Sequence, residues 1–138
     1  MKSYELTHED VLKAIYELWG LLTPEQQNLL EKNISLKNYK KNETVYLEGE
    51  QPNLLYCVLE GKVKIYREGV GRRSQIMRMI KPVDYFGYRA YFANELYVTC
   101  AAAFEPSVIC EIPLSVIEVL VKQNNELACF FIRRLAYD

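Results

Sequence analysis

The sequence predicts a mainly β fold, a sandwich or barrel of short strands that is preceded and followed by α-helices. Two observations predict this fold. Residues 34–112 contain short runs rich in Val, Ile, Tyr and Leu, separated by glycine turns. Both flanks instead repeat apolar residues at the spacing of an amphipathic helix. With 138 residues, half of them apolar, the chain is expected to form one domain.

The N-terminal flank, residues 1–33, is predicted to form two helices that pack on the β-region. Apolar residues recur at helical spacing over His8–Leu22, and Thr7 followed three positions later by an aspartate resembles a capping box. Thr23 then offers an N-cap with a proline at the first helical position. A second helix is therefore expected to run from there to about Lys32.

The β-region, residues 34–112, contains five runs with the β-branched and aromatic content of strands. They are residues 44–47, 54–59, 62–66, 75–80 and 107–112. Glu-Gly and Gly-Val-Gly sequences separate several of them, as expected for tight turns that need a positive φ.

The C-terminal flank, residues 113–138, is predicted to form two further helices. Pro113 opens the first, which is expected to break near Asn124-Asn125. The second is apolar around most of its circumference, and a helix of this kind needs a partner to cover it. Its apolar residues include Leu127, Phe130, Phe131 and Leu135.

The composition narrows the classes of function. Seventeen Lys and Arg against 18 Asp and Glu leave a formal charge of −1, so this chain alone is expected to bind DNA poorly. No apolar run reaches the roughly 20 residues of a membrane span, and the N-terminus MKSYELTHED lacks the order of a signal peptide. A cytoplasmic protein is expected. The cysteines show no C-x-x-C pair, so buried free thiols are expected at Cys57, Cys100, Cys110 and Cys129.

Catalysis and metal binding are not expected. A cupin-type enzyme needs several histidine and carboxylate ligands, and His8 is the only histidine, placed in the first predicted helix as a solvated or capping residue. Because the β-region contains no histidine, a Ser-His-Asp or Cys-His catalytic arrangement is not expected there. No cofactor is predicted either. The basic pair Arg72-Arg73 is interpreted as a solvated turn rather than as a nucleic-acid or polymerase contact.

Four short motifs follow one another along the chain. They are Glu48-Gly49-Glu50, Leu59-Glu60-Gly61-Lys62-Val63, Asp84-Tyr85-Phe86-Gly87 and Ala90-Tyr91-Phe92. This order, between flanking helices, resembles the cyclic-nucleotide-binding domain of Crp/Fnr-type bacterial transcription regulators from about Leu22 to Leu135. The resemblance implies a double-stranded β-helix, or jelly roll, over residues 34–112, acting as the effector-sensing domain of such a regulator.

The resemblance also implies a ligand site at Gly87, Tyr88, Arg89, Val98 and Thr99. Relatives that bind cyclic AMP hold the ribose with a Glu and the cyclic phosphate with an Arg, and Tyr88 and Val98 stand at those positions here. Because neither can replace the lost charge, cyclic AMP binding is not expected. Arg89 is a candidate replacement cation, with a surface or interdomain role as the alternative. The effector is then an unknown small molecule, an anion or a nucleotide.

In the family, the long helix after the roll pairs with its twin, and a helix-turn-helix domain follows. The resemblance therefore implies a homodimer that contacts through Leu127, Phe130, Phe131 and Leu135. DNA binding would reside in a C-terminal domain absent from this chain. The alternatives are a stand-alone cyclic-nucleotide-binding-like module or a protein-interaction domain.

Overall fold

The computed structural model describes residues 7–137, apart from the side chains of His8 and Arg72. The expectations for those two side chains and for the first six residues lie outside the described residues. The other residues form two four-stranded antiparallel sheets, with helices before and after them in the chain. The predicted mainly β, jelly-roll-like fold is therefore confirmed.

Two threonine caps begin the N-terminal helices, as the sequence predicts. The helices are α1 (His8–Ala14), α2 (Tyr16–Trp19) and α3 (Pro24–Asn33). Thr7 and Thr23 each form a capping box with the side chain and amide three residues later. The prediction of one continuous helix over His8–Leu22 is wrong, because Ile15 leaves helical geometry at φ −98° and ψ 28°. Ile15 is itself buried in the core, so the bend occurs where the chain packs against the roll.

The strands within residues 7–137 pair into two sheets. They are β1 (Ser35–Tyr39), β2 (Thr44–Tyr46), β3 (Leu54–Glu60), β4 (Val63–Glu68), β5 (Ser74–Ile80), β6 (Tyr85–Phe86), β7 (Cys100–Ala103) and β8 (Ser107–Pro113). Sheet 1 has the order β1-β8-β3-β6, and sheet 2 has the order β2-β7-β4-β5. The five predicted strands are confirmed within one or two residues at their ends, whereas β1, β6 and β7 were not predicted.

The core has two layers because the central strands of sheet 1, β3 and β8, carry buried side chains on both faces. In β3, Leu55 and Cys57 face the helices, while Tyr56 and Val58 face the interior of the roll. This alternation explains why β3 is an unbroken apolar run rather than an alternating one. The roll interior is completed from sheet 2 by residues that include Val63, Ile65, Ile80, Ala101 and Ala103.

The C-terminal helices are α5 (Leu114–Gln123) and α6 (Asn125–Tyr137), and the predicted break between them is confirmed at Asn124. The Asn124 side chain accepts a hydrogen bond from the Leu127 amide at 3.0 Å, which caps α6. Its amide group donates to the Leu21 carbonyl at 2.8 Å and to the Gln26 side chain at 2.9 Å. One asparagine therefore ends α5, starts α6 and fixes both to the N-terminal helices.

The partner that the apolar face of α6 needs is supplied, for most of that face, within the chain itself. Leu127, Phe130 and Phe131 are 0%, 8% and 2% exposed within the single chain, and Leu135 is half-buried. They are covered because α6 packs on the outer face of sheet 1 together with α1, α2 and α5. On the opposite side of α6, Ile132 is 61% exposed.

Candidate functional site

A cavity of about 410 Å³ is lined by sheet 2, by the segment from β6 into the next helix, α4 (Arg89–Phe92), and by the loop before β7. A volume of this size is typical of small-molecule sites. The five residues that the sequence analysis assigned to a ligand site all line it. They are Gly87, Tyr88, Arg89, Val98 and Thr99. The structure thus brings the predicted set together, while its role in binding stays a prediction.

Gly87 turns the chain from β6 toward α4 in a conformation that suits glycine. Its φ is +87°, and a Cβ atom at this position would lie 2.6 Å from the Tyr56 ring. The Gly87 carbonyl accepts a hydrogen bond of 2.8 Å from the hydroxyl of Tyr97, which also lines the cavity. The turn is therefore held by sterics and by a specific hydrogen bond.

Tyr88 belongs to the core as well as to the cavity wall. It is 3% exposed and is the N-terminal flanking residue of α4. Its ring meets the Phe131 ring of α6 edge to face, with centroids 5.4 Å apart, and the Phe92 ring at 6.3 Å. A side chain held in this way couples the cavity wall to the C-terminal helix.

Two tyrosines form a flat aromatic wall beside the predicted site. The rings of Tyr46 and Tyr97 stack with centroids 3.7 Å apart and 7° between their planes. Burial raises the pKa of Tyr46 to about 12, against smaller lowering effects from a hydrogen bond with Thr99 and from the charge of Arg78. Tyr46 is therefore neutral near pH 7. Val98 is 55% exposed and adds neither a hydrogen-bonding group nor a charge to its side of the cavity.

Three arginines line the cavity among the described residues. Arg89 was predicted, but Arg67 of β4 and Arg78 of β5 were not. Arg78 lies on β5 with its side chain at the cavity, away from the hairpin tip where Arg72 and Arg73 stand. Strand alternation is the signal that could have found both residues, because Arg67 lies two positions after Ile65 and Arg78 lies two positions before Ile80, and both isoleucines are in the roll interior.

The cysteines are free, and the prediction that all are buried is wrong for one. Cys57, Cys100 and Cys110 are buried, but Cys129 on α6 is exposed. Burial raises the pKa of the Cys110 thiol to about 12 and that of Cys57 further. Cys129 is exposed because it lies on the side of α6 that faces away from the roll.

Over the described part of the chain, no group of three or more His, Cys, Asp or Glu side chains is placed to hold a metal ion. Within residues 7–137, no helix has the length and apolar character needed to cross a membrane.

Comparisons with known proteins agree with this architecture. A family model described as a cyclic nucleotide-binding domain matches residues 36–124. An uncharacterised protein of Haemophilus influenzae is 26% identical over 113 residues, which cover 81% of this chain and 88% of that protein. The regulatory protein HlyX of Actinobacillus pleuropneumoniae is 29% identical over 67% of this chain but 37% of its own length. The sensor domain of the transcriptional regulator DNR from Pseudomonas aeruginosa has the same fold, with a TM-score of 0.82, 22% identity, and coverage of 94% and 89% of the two chains.

Proposed function

This chain belongs to the cyclic nucleotide-binding domain family, with homologues among Crp/Fnr-type regulators, and we propose that it is the effector-sensing domain of such a transcription regulator. The observation that carries the proposal is the convergence of Gly87, Tyr88, Arg89, Val98 and Thr99 on one cavity. The role is regulatory: the cavity binds an effector, and the bound state is passed to the rest of the molecule.

Cyclic AMP is not the effector in this proposal. At the position where relatives that bind cyclic AMP carry the phosphate-binding arginine, Val98 supplies no charge-assisted hydrogen bond to a cyclic phosphate. Tyr88 supplies no carboxylate for the ribose, and its ring is fixed against Phe92 and Phe131. Both features support a different small molecule in the same cavity.

The contacts of the cavity wall with α6 support a route for the signal. Tyr88 touches Phe131, and Tyr85, which also lines the cavity, meets the Phe130 ring edge to face at 5.7 Å. The Arg134 guanidinium lies 5.2 Å from the Tyr85 ring centroid. An effector that favours one position of the wall therefore favours one position of α6.

In the whole regulator, we propose that α6 extends further and pairs with the same helix of a second copy, which gives a homodimer. DNA binding is proposed to reside in a further C-terminal domain. The length of HlyX, of which this chain spans 37%, supports that arrangement. A cytoplasmic location belongs to the same proposal.

A second candidate is a stand-alone module of the same fold. The H. influenzae protein favours it, because the similarity covers 88% of that protein and leaves little room for another domain. Under this alternative the effector would modulate a protein partner rather than DNA binding.

Titration calorimetry of the chain with cyclic AMP and cyclic GMP tests the ligand assignment. We expect no saturable heat at micromolar concentrations, and micromolar binding would overturn the argument from Val98 and Tyr88. Effector sensing is tested with a fluorophore on Cys129, the exposed thiol of α6. A ligand that saturates the cavity is expected to change its emission, whereas saturation without any change would contradict the route through α6.

A further inference from the structure

Two arginines occupy inward-facing positions of sheet 2. Along β4, Val63 and Ile65 face the roll interior, and strand alternation places Arg67 on the same face. In β5, Arg78 is the direct cross-strand partner of Ile65, so these two side chains also share a face. The neighbouring inward positions, Val63, Ile65 and Ile80, are buried apolar residues, whereas both arginines are exposed.

Both arginines line the cavity and lie outside the closed interior of the roll. A register shift after Ile65 leaves Met77 as an extra residue in β5, and Met77, Arg78 and Arg67 all line the cavity. Arg89 lines it from the start of α4. Cations from three separate elements therefore border one space.

The charge of this lining does not match a cyclic nucleotide. Among the described lining residues Glu95 is the one carboxylate, so the three arginines leave a formal surplus of two positive charges. A cyclic phosphodiester carries one negative charge, whereas a phosphomonoester carries about two near neutral pH. We propose that the cavity binds a small phosphomonoester dianion through Arg67, Arg78 and Arg89. This inference rests on the proposed function of the cavity as the effector site.

The side chains present suit that ligand. A guanidinium offers paired N–H donors that match the oxygens of a terminal phosphate, and such hydrogen bonds are stronger than those between neutral groups. The half-buried Thr99 side chain also lines the cavity, and a volume of about 410 Å³ is large enough for a nucleotide-sized molecule. The site is thus built from sheet 2 and α4, with Val98 contributing no charge.

Adenosine 5′-monophosphate and cyclic AMP are a matched pair of probes, because they share base and sugar and differ at the phosphate. We expect calorimetry on the chain to give about tenfold or more tighter binding of the monophosphate. Arg67→Gln and Arg78→Gln should each weaken it by about tenfold or more. Arg73→Gln is the control, since Arg73 is exposed, as Arg67 and Arg78 are, but does not line the cavity. Circular dichroism checks that each variant is folded.

Three results would overturn the inference: equal binding of the two probes, no binding of the monophosphate at about 1 mM, or an equal loss in Arg73→Gln. The dianion proposal and the effector-sensing proposal can fail separately. They are distinguished by a neutral or singly charged ligand that saturates the cavity and changes the emission of the fluorophore on Cys129. In that case the dianion assignment fails while effector sensing stands.

Discussion

The hydroxyl of Tyr97 donates a 2.8 Å hydrogen bond to the carbonyl of Gly87, and its ring lies flat on Tyr46. Tyr97 therefore ties the turn before α4 to sheet 2. Because both ends of this contact line the cavity, the shape of the candidate site depends on one phenol group.

Tyr97→Phe tests that dependence. The variant is expected to lower the free energy of unfolding by about 1 to 2 kcal/mol, because the Gly87 carbonyl loses its donor while the ring stack remains. Urea unfolding measures the loss. Tyr16→Phe is the matched control, since Tyr16 is 67% exposed, and it should change stability by less than about 0.5 kcal/mol. Equal effects of the two variants would contradict the role of the hydrogen bond.

Gly87→Ala is expected to destabilise the chain more than Gly71→Ala. Both glycines have a positive φ, +87° and +74°, so both variants carry the cost of a left-handed alanine. Only Gly87 adds a steric term, because its new Cβ would meet the Tyr56 ring at 2.6 Å, whereas nothing lies within 4 Å at Gly71. We expect a difference of about 1 kcal/mol or more in urea unfolding. Equal losses would mean that the Tyr56 ring moves aside freely.

Local signals in the sequence were sufficient for most of the helix starts and for most strands, but they missed the bend at Ile15. Thr7 and Thr23 predicted helix starts correctly because a capping box is made by residues three positions apart. β7 was missed because Cys100–Ala103 has little intrinsic strand propensity. Ala101 and Ala103 face the roll interior, where Ala101 lies opposite both Tyr46 and Ile65.

The candidate site was predicted only in part, because some of its residues come together through strand pairing rather than through their position in the sequence. Gly87 and its neighbours stand next to each other in the chain, so a motif could locate them. Arg67 and Arg78 reach the cavity through the pairing of β4 with β5 and a register shift within it, which no short sequence motif records. The cover over α6 likewise depends on long-range packing, so its apolar face looked unpartnered in the sequence.

Leu127→Ala tests whether α6 belongs to the core of a single chain. Leu127 is fully buried, so truncation should cost about 2 to 5 kcal/mol, independent of protein concentration. Ile132→Ala, on the exposed side of the same helix, is expected to change stability by less than about 0.5 kcal/mol. Denaturant unfolding at two protein concentrations measures both. A loss in Leu127→Ala that disappears at high concentration would indicate an intermolecular contact instead.

Stability is expected to fall in alkaline solution. Burial raises the pKa of Cys110 from 9.0 to about 12 and that of Tyr46 from 10.0 to about 12. Above about pH 9 the unfolded chain therefore releases protons that the folded chain keeps, and the free energy of unfolding decreases as pH rises toward about 12. Urea unfolding between about pH 7 and 11 measures the slope. Cys110→Ala should reduce the slope, Cys129→Ala should not, and a flat profile would contradict the burial effect.

Val98→Arg tests the position assigned to the family's phosphate-binding arginine. Val98 is 55% exposed beside the cavity, so the longer side chain fits without disturbing the core. The new guanidinium is expected to tighten cyclic AMP binding by about tenfold or more over the unchanged chain, because it supplies a charge-assisted bond to the phosphate. Val119→Arg, at a 44% exposed position on α5 outside the cavity lining, is the control and should leave affinity unchanged. Calorimetry compares the three proteins. No gain in Val98→Arg would mean that this position does not face the phosphate, and that the absence of an arginine there is not what excludes cyclic AMP.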